Sequence, residues 1–259
     1  MQTTADQSPG NLTPAPVRSV PVTRPFRWLA LGWRDCARAG LPSVLHGVAV
    51  AIGGWLIVLF LMRFWYLLPG AFTGFLLVGP ILATGLYEIS RRMISGEQAS
   101  LEHVIGAWRK GTKPLVWLGL LLVLAGTLWV LVSAIVFAIY SKTSLITAES
   151  FLREIVLNRE SYLFDVWLLL GGVGAALVFA ATAVSAPLLL DRDVDMMSAL
   201  ITSIRAVGEN PIAAALWAAI IMVATVLSVA TLMLGFVLAI PVIGHGTWHA
   251  YRDLVDAEG

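Results

Sequence analysis

The sequence predicts an all-α, polytopic membrane protein with six transmembrane helices, arranged as three repeats of an interfacial helix followed by a transmembrane hairpin. Three observations predict it: a composition too apolar for a soluble domain, a series of long uncharged runs, and two short patterns that recur along the chain. Of the 259 residues, 58% are hydrophobic and only 13% charged, with a mean hydropathy of +0.84. A soluble domain carries roughly twice that charge fraction. The net charge of +1 gives no reason to expect nucleic acid as a partner.

Apolar runs occupy residues 41–61, 67–86, 114–139, 166–190 and 212–243. A helix rising 1.5 Å per residue needs roughly 20 such residues to cross a hydrocarbon core about 30 Å thick. Backbone N–H and C=O groups must be paired within lipid, and these runs lack the alternation of a barrel strand, which leaves helices.

Taken in order, the polar, proline-rich residues 1–22 are expected to form a disordered tail, with no apolar core of signal-peptide length. Phe26, Leu29, Ala30 and Trp33 then follow the i, i+3, i+4, i+7 rule, with Arg34 next. Leu101, Val104, Ile105 and Trp108 repeat it before Arg109, and Met197, Leu200, Ile201 and Ile204 repeat it before Arg205. Each set gives a short polar helix one apolar stripe, as suits a helix lying in the membrane interface. Thr23 is placed to cap the first, with Pro25 in its first turn. A proline (Pro42, Pro114, Pro211) opens the span after each, where its missing N–H costs little.

The run 212–243 is too long for one ordinary span. Comparison within the chain divides it: GFLLVGPILATGLYEISRR from Gly74 aligns with GFVLAIPVIGHGTWHAYRD from Gly235. Pro80 falls on Pro241, Gly85 on Gly246, Tyr87 on Trp248 and Arg91 on Arg252. A third, weaker copy, ATAVSAPLLLDRDVDMMS, aligns on Pro187. Pro80, Pro187 and Pro241 are expected to kink their helices. The predicted spans are therefore about 41–62, 67–90, 114–140, 164–190, 212–229 and 231–251 of a membrane domain over 23–256, the last run dividing near 228–231. The charges agree. Of the 17 Lys and Arg, all but Arg63, Lys142, Arg153 and Arg159 fall on one side when six spans are drawn, which places both termini in the cytoplasm. The opposite side carries the loop 141–163, where Phe151, Leu152, Ile155 and Val156 predict a short amphipathic helix.

GPILATGLYEISRR, SAPLLLDRDVD and GHGTWHAYRDL, in that order, resemble a bacterial integral-membrane family known as domain of unknown function 2189, over roughly residues 20–256. The resemblance implies a bacterial inner-membrane protein. It brings no established activity or site residues.

Candidate chemistry clusters at the ends of the proline-bearing helices. His245 and His249 lie four and eight residues after Pro241; Thr84 and Glu88 follow Pro80, and Asp191 and Asp195 follow Pro187, at the same steps. Steps of four share a helix face. Convergence of the three helices would stack Glu88, Asp195 and His249 over Thr84, Asp191 and His245, a donor set suited to a divalent metal. Helix-end anchoring is the stronger reading, since polar groups reach headgroups and water there and Glu88 pairs favourably with Arg92. Trp248 and Tyr87 read as interfacial aromatics. His46 lies inside the first span, where an ionisable group is a functional candidate by default; bonding a nearby backbone carbonyl is the structural alternative. The lone Cys36 forms no internal disulfide or metal motif. No phosphate loop, GxSxG or HExxH occurs. The leading reading is a non-enzymatic assembly, scaffolding or lipid-interaction factor without cofactor, with membrane lipids, another membrane protein or a second copy as partners. A small-solute transporter or channel along the kinked helices, and a membrane metal-binding protein, are the alternatives.

Overall fold

The computed structural model describes residues 14–255 apart from 62–63, 65–66, 99, 101, 103–105, 107–111, 141–148, 150–152, 154–156 and 159–161. The predicted interfacial helix at 101–109 and the short helix at 151–156 thus lie largely outside the described residues. The elements are α1 (Arg24–Ala39), α2 (Leu41–Leu61), α3 (Leu68–Leu77), α4 (Gly79–Leu82), α5 (Thr84–Ile94), α6 (Lys113–Tyr140), α7 (Leu163–Thr182), α8 (Ser185–Asp191), α9 (Met196–Glu209), α10 (Pro211–Ala230) and α11 (Phe236–Leu254). Among the described residues no strand occurs beyond one isolated bridge, Val17 with Val255.

Among the described residues, four stretches are long and apolar enough to cross a membrane: Leu41–Phe60, Lys113–Ile139, Leu163–Asp191 and Pro211–Ala230. The predicted second span is three pieces, α3, α4 and α5, interrupted at Val78 and Ala83. Pro80 therefore restarts a helix where a kink was expected. Pro187 does the same in the first turn of α8, after the turn at 183–184. A proline in a first turn removes an N–H that has no intrahelical acceptor anyway, so a restart satisfies more of the backbone than a kink. Pro241 alone of the three sits inside a continuous helix, α11.

The long last run divides at residues 231–235, slightly later than predicted, into α10 and α11. Leu232 and Met233 take left-handed φ values of 52° and 68°, and Met233 N–H closes the turn on the Ser228 carbonyl at 2.7 Å. Gly235 is needed here, because a Cβ would lie 2.7 Å from Ser228 Cα.

Helix α11 is the axis of the packing, in contact with α1, α2, α5, α8 and α10. Its GHGTWHA segment explains why: Gly244 and Gly246 let neighbours approach, and Trp248, Tyr251 and Leu254 fill the core they form. That core also takes Trp28, Tyr87, Leu118, Leu188 and Trp217. Tyr87 and Trp248, expected in an interfacial belt, are instead 3% and 1% exposed. A smaller cluster of Ala51, Met233 and Phe236 lies at the α10–α11 turn. Two glycine contacts bring helices close: Gly74 and Gly126 face each other, and Gly171 lies against Trp129. Gly79, Gly172 and Gly174 face open space.

Residues 14–22, expected within a disordered tail, run instead as an extended strap. Ala15 N–H donates to Thr202 Oγ1, Val20 N–H to Asn210 Oδ1 and Arg18 N–H to the Leu254 carbonyl. The described chain ends are thus side by side. Thr23 occupies the N-cap position of α1 with Pro25 in the first turn, but its side chain makes no capping bond because its backbone is already helical, with φ −78° and ψ −5°.

Candidate functional site

Where α1, α2, α5 and α11 meet, five polar side chains form one buried chain. Ser90 Oγ donates to Asp35 Oδ2 at 2.9 Å. Ser90 must therefore accept from His245 Nδ1–H, 2.7 Å away, and a neutral His245 then accepts at Nε2 from the Ser43 hydroxyl at 2.8 Å. His249 Nε2–H closes the other end on Asp35 Oδ2 at 2.8 Å. Ser43, Ser90 and His245 have no exposed surface, and Asp35 is 4% exposed. Every member is satisfied by another, which is the condition under which a buried polar network stabilises and specifies a packing. Burial disfavours ionisation of Asp35, but hydrogen bonds from His249 and Ser90 outweigh it and hold its carboxyl below the usual range.

The helix break at Ala83 and the proline inside α11 supply the reason for the neighbouring contacts. At the Ala83 break, Leu86 N–H turns to the Ala83 carbonyl. The Leu82 carbonyl so released receives the His46 imidazole through Nε2, and Thr84 Oγ1 donates to the Ile81 carbonyl at 2.8 Å. Pro241 has no N–H for the Val237 carbonyl four residues before it. Gly47 of α2 packs directly on that oxygen, where a Cβ would lie 2.4 Å away. Polar groups thus collect where the prolines disturb the helices.

The six residues proposed from the sequence go to separate partners. Glu88 accepts from Arg91 Nε at 2.7 Å and from Arg92 Nε at 2.6 Å, the latter the expected pair. Asp191 accepts from Tyr251 at 2.7 Å and lies 3.5 Å from Arg252. Asp195 does not continue the helix of Asp191, because the chain turns extended at Arg192. It caps α9 instead, accepting from Ser198 N–H at 2.9 Å, and the Ser198 bonds hold its carboxyl below the usual range. The two stacked layers do not form, and no group of three or more His, Cys, Asp or Glu is placed to hold a metal among the described residues. Sequence reasoning missed Ser43, Ser90 and above all Asp35. The available signal was Asp35 lying on the Trp28–Gly32 face of α1.

A second cluster fixes the start of α1. Asp253 accepts from Arg24 Nε at 2.6 Å and from Trp28 Nε1 at 2.8 Å. These bonds outweigh burial and keep its carboxyl below the usual range.

The apolar helices lie partly within a stretch that resembles a known family. Residues 67–191 match the family model DUF2189, predicted integral membrane protein. The match bears out the resemblance, over a shorter stretch than expected: it takes in GPILATGLYEISRR and SAPLLLD and ends before GHGTWHAYRDL. No curated protein and no solved structure matches the chain. Like the family, the chain is an integral membrane protein that crosses the bilayer more than once.

Proposed function

We propose that this protein is a non-enzymatic inner-membrane factor that works at the lipid interface, in assembly, scaffolding or lipid interaction. One observation carries the reading: α1 and α9 are inside-out. The face of α9 against the protein is Ser198, Ala199, Thr202, Ser203 and Ala206, while Met197 and Ile204 point away. On α1, Gly32, Asp35, Cys36 and Ala39 face inward, while Phe26 and Trp33 are 57% and 58% exposed. Water on the outer face would penalise this arrangement, whereas lipid accepts it. The same reading takes the chain as six crossings in three repeats, with the broken α3–α5 and the short, continuous α11 as two of them and both ends in the cytoplasm. Adjacent chain ends require an even number of crossings, and the arginine and lysine distribution sets their side.

The two alternatives draw less support. The carbonyls freed at the Ala83 break and at Pro241 meet His46 and Gly47, leaving little for a solute path, and two surface grooves are lined by outward residues such as Leu169 and Leu56. The acids and imidazoles of the metal reading already have other partners.

Two measurements test the proposal. A reporter active only in the cytoplasm should give signal when fused after residue 259 and none when inserted within 145–160; the reverse would overturn the six-crossing count. With Cys36→Ser as background, a cysteine at position 33 should react with a membrane-impermeant maleimide on the order of ten times more slowly than one at Ser19, an exposed strap residue, because lipid shields it. Equal rates would remove α1 from the interface and the reading with it.

A further inference from the structure

We propose that the outer face of α1 is a docking surface for anionic phospholipid, held by Arg27, Arg34 and Arg38; this rests on the interfacial reading of α1 above. Around the helix, at 100° per residue, the exposed positions fall into two adjacent stripes. One is Phe26, Ala30, Trp33 and Ala37; the other is Arg27, Arg34 and Arg38. All seven are exposed. The opposite side is buried against α10 and α11.

The arginines differ from their neighbours in being uncommitted. Arg24 is held by Asp253. On α9, the other inside-out helix, the one arginine, Arg205, is held by Glu209 at 3.1 Å. Arg27, Arg34 and Arg38 make no salt bridge or hydrogen bond among the described residues, although Arg27 adds to the field at Asp253. Three unneutralised guanidinium groups therefore lie along about 16 Å of helix, beside a stripe of Phe and Trp. Side chains of that apolar kind insert at the headgroup and acyl boundary, which brings the arginines level with the phosphates. Guanidinium donates two N–H groups to phosphate oxygens in a forked geometry that an ammonium group cannot offer. Charge complementarity with a lipid phosphate that carries no compensating ammonium selects the anionic lipids of the leaflet over zwitterionic ones. The surface is absent from α9, so the preference belongs to the first interfacial helix.

The test uses the full chain in mild detergent, titrated with phosphatidylglycerol or phosphatidylcholine and read by native mass spectrometry. Phosphatidylglycerol should bind in preference. Each arginine near an anionic surface contributes about fivefold, so Arg27→Gln/Arg34→Gln/Arg38→Gln should weaken phosphatidylglycerol binding on the order of a hundredfold while leaving phosphatidylcholine unchanged. The triple Lys variant should keep most of the preference. Single Arg34→Gln and Arg38→Gln variants, each about fivefold weaker, keep the test decisive if the triple variant misfolds. Equal binding of the two lipids, or full phosphatidylglycerol binding by the Gln variants, overturns the proposal. Retention of an acidic protein through Arg34 and Arg38 in place of lipid also overturns it. If the cysteine at position 33 is shielded but no anionic preference appears, only this inference fails; if it is labelled freely, the interfacial reading fails first.

Discussion

Gly32→Ala is expected to destabilise this protein more than any other single added methyl described here, by about 3 kcal/mol, at the upper end of ordinary overpacking. A Cβ at residue 32 would sit 2.2 Å from the Val242 carbonyl oxygen, 2.7 Å from Gly246 N and 3.0 Å from Gly246 Cα. All three are backbone atoms of α11, so no side chain can rotate away, and relief requires α1 to move. That movement would also draw Asp35 from His249 and Trp28 from Asp253. Gly172→Ala is the matched control. It lies within α7 with nothing within 4 Å of its Cβ position, and alanine there should gain roughly 0.5–1 kcal/mol from lower backbone entropy in the unfolded chain. Thermal unfolding in detergent, followed by circular dichroism and size exclusion, separates the two. Equal stability of the variants would mean that α1 does not lie on α11 at Gly32.

The same helix shows what could be read from the sequence and what could not. Periodicity located α1 and α9, because a repeating stripe is a local signal, and comparison within the chain divided the last apolar run. Periodicity also named Phe26, Leu29, Ala30 and Trp33 as the apolar stripe, and Phe26 and Trp33 are large apolar residues that face away from the protein. In water such a stripe marks the packed face. In lipid, large side chains gain little by leaving the acyl chains, and close packing selects small and hydrogen-bonding residues. The packed face of α1 is therefore Gly32, Asp35, Cys36 and Ala39 beneath Trp28, a pattern with no hydrophobic signature. Asp35 reads alone as a solvated acid on a polar helix; its partner His249 is 214 residues away. The alignment on Pro187 carried Asp195 onto a helix that ends at Asp191. Sequence similarity fixes which positions correspond, and it does not fix where the backbone stops being helical. The prolines teach the same point, since Pro80 and Pro187 restart helices and Pro241 is carried within one.

His249→Ala is expected to destabilise the protein by about 3 kcal/mol at neutral pH, because it leaves the Asp35 carboxylate, 4% exposed, with the Ser90 hydroxyl in place of two donors. Asp35→Asn keeps the shape and removes the charge, so it should be the milder change. Combined with His249→Ala it should cost less than the sum, with a coupling of about 1–3 kcal/mol for side chains in direct contact. The dependence on pH has a definite sign. The folded carboxyl of Asp35 is held below its ordinary value, chiefly by His249 and Ser90 against the opposing effect of burial. Its contribution is then complete above the unfolded carboxylate value, near pH 4, and is lost as pH falls through the lower folded value. Wild type should lose stability on acidification below about pH 4 more steeply than Asp35→Asn. Strict additivity of Asp35→Asn and His249→Ala, or identical acid limbs for wild type and Asp35→Asn, would show that the two side chains do not share a proton-sensitive contact. The contact matters beyond its own energy. It joins the first helix of the described chain to the last, so α1 holds its place on the bundle through the Asp35–His249 hydrogen bond, the Asp253 cluster and a glycine that fits against bare backbone.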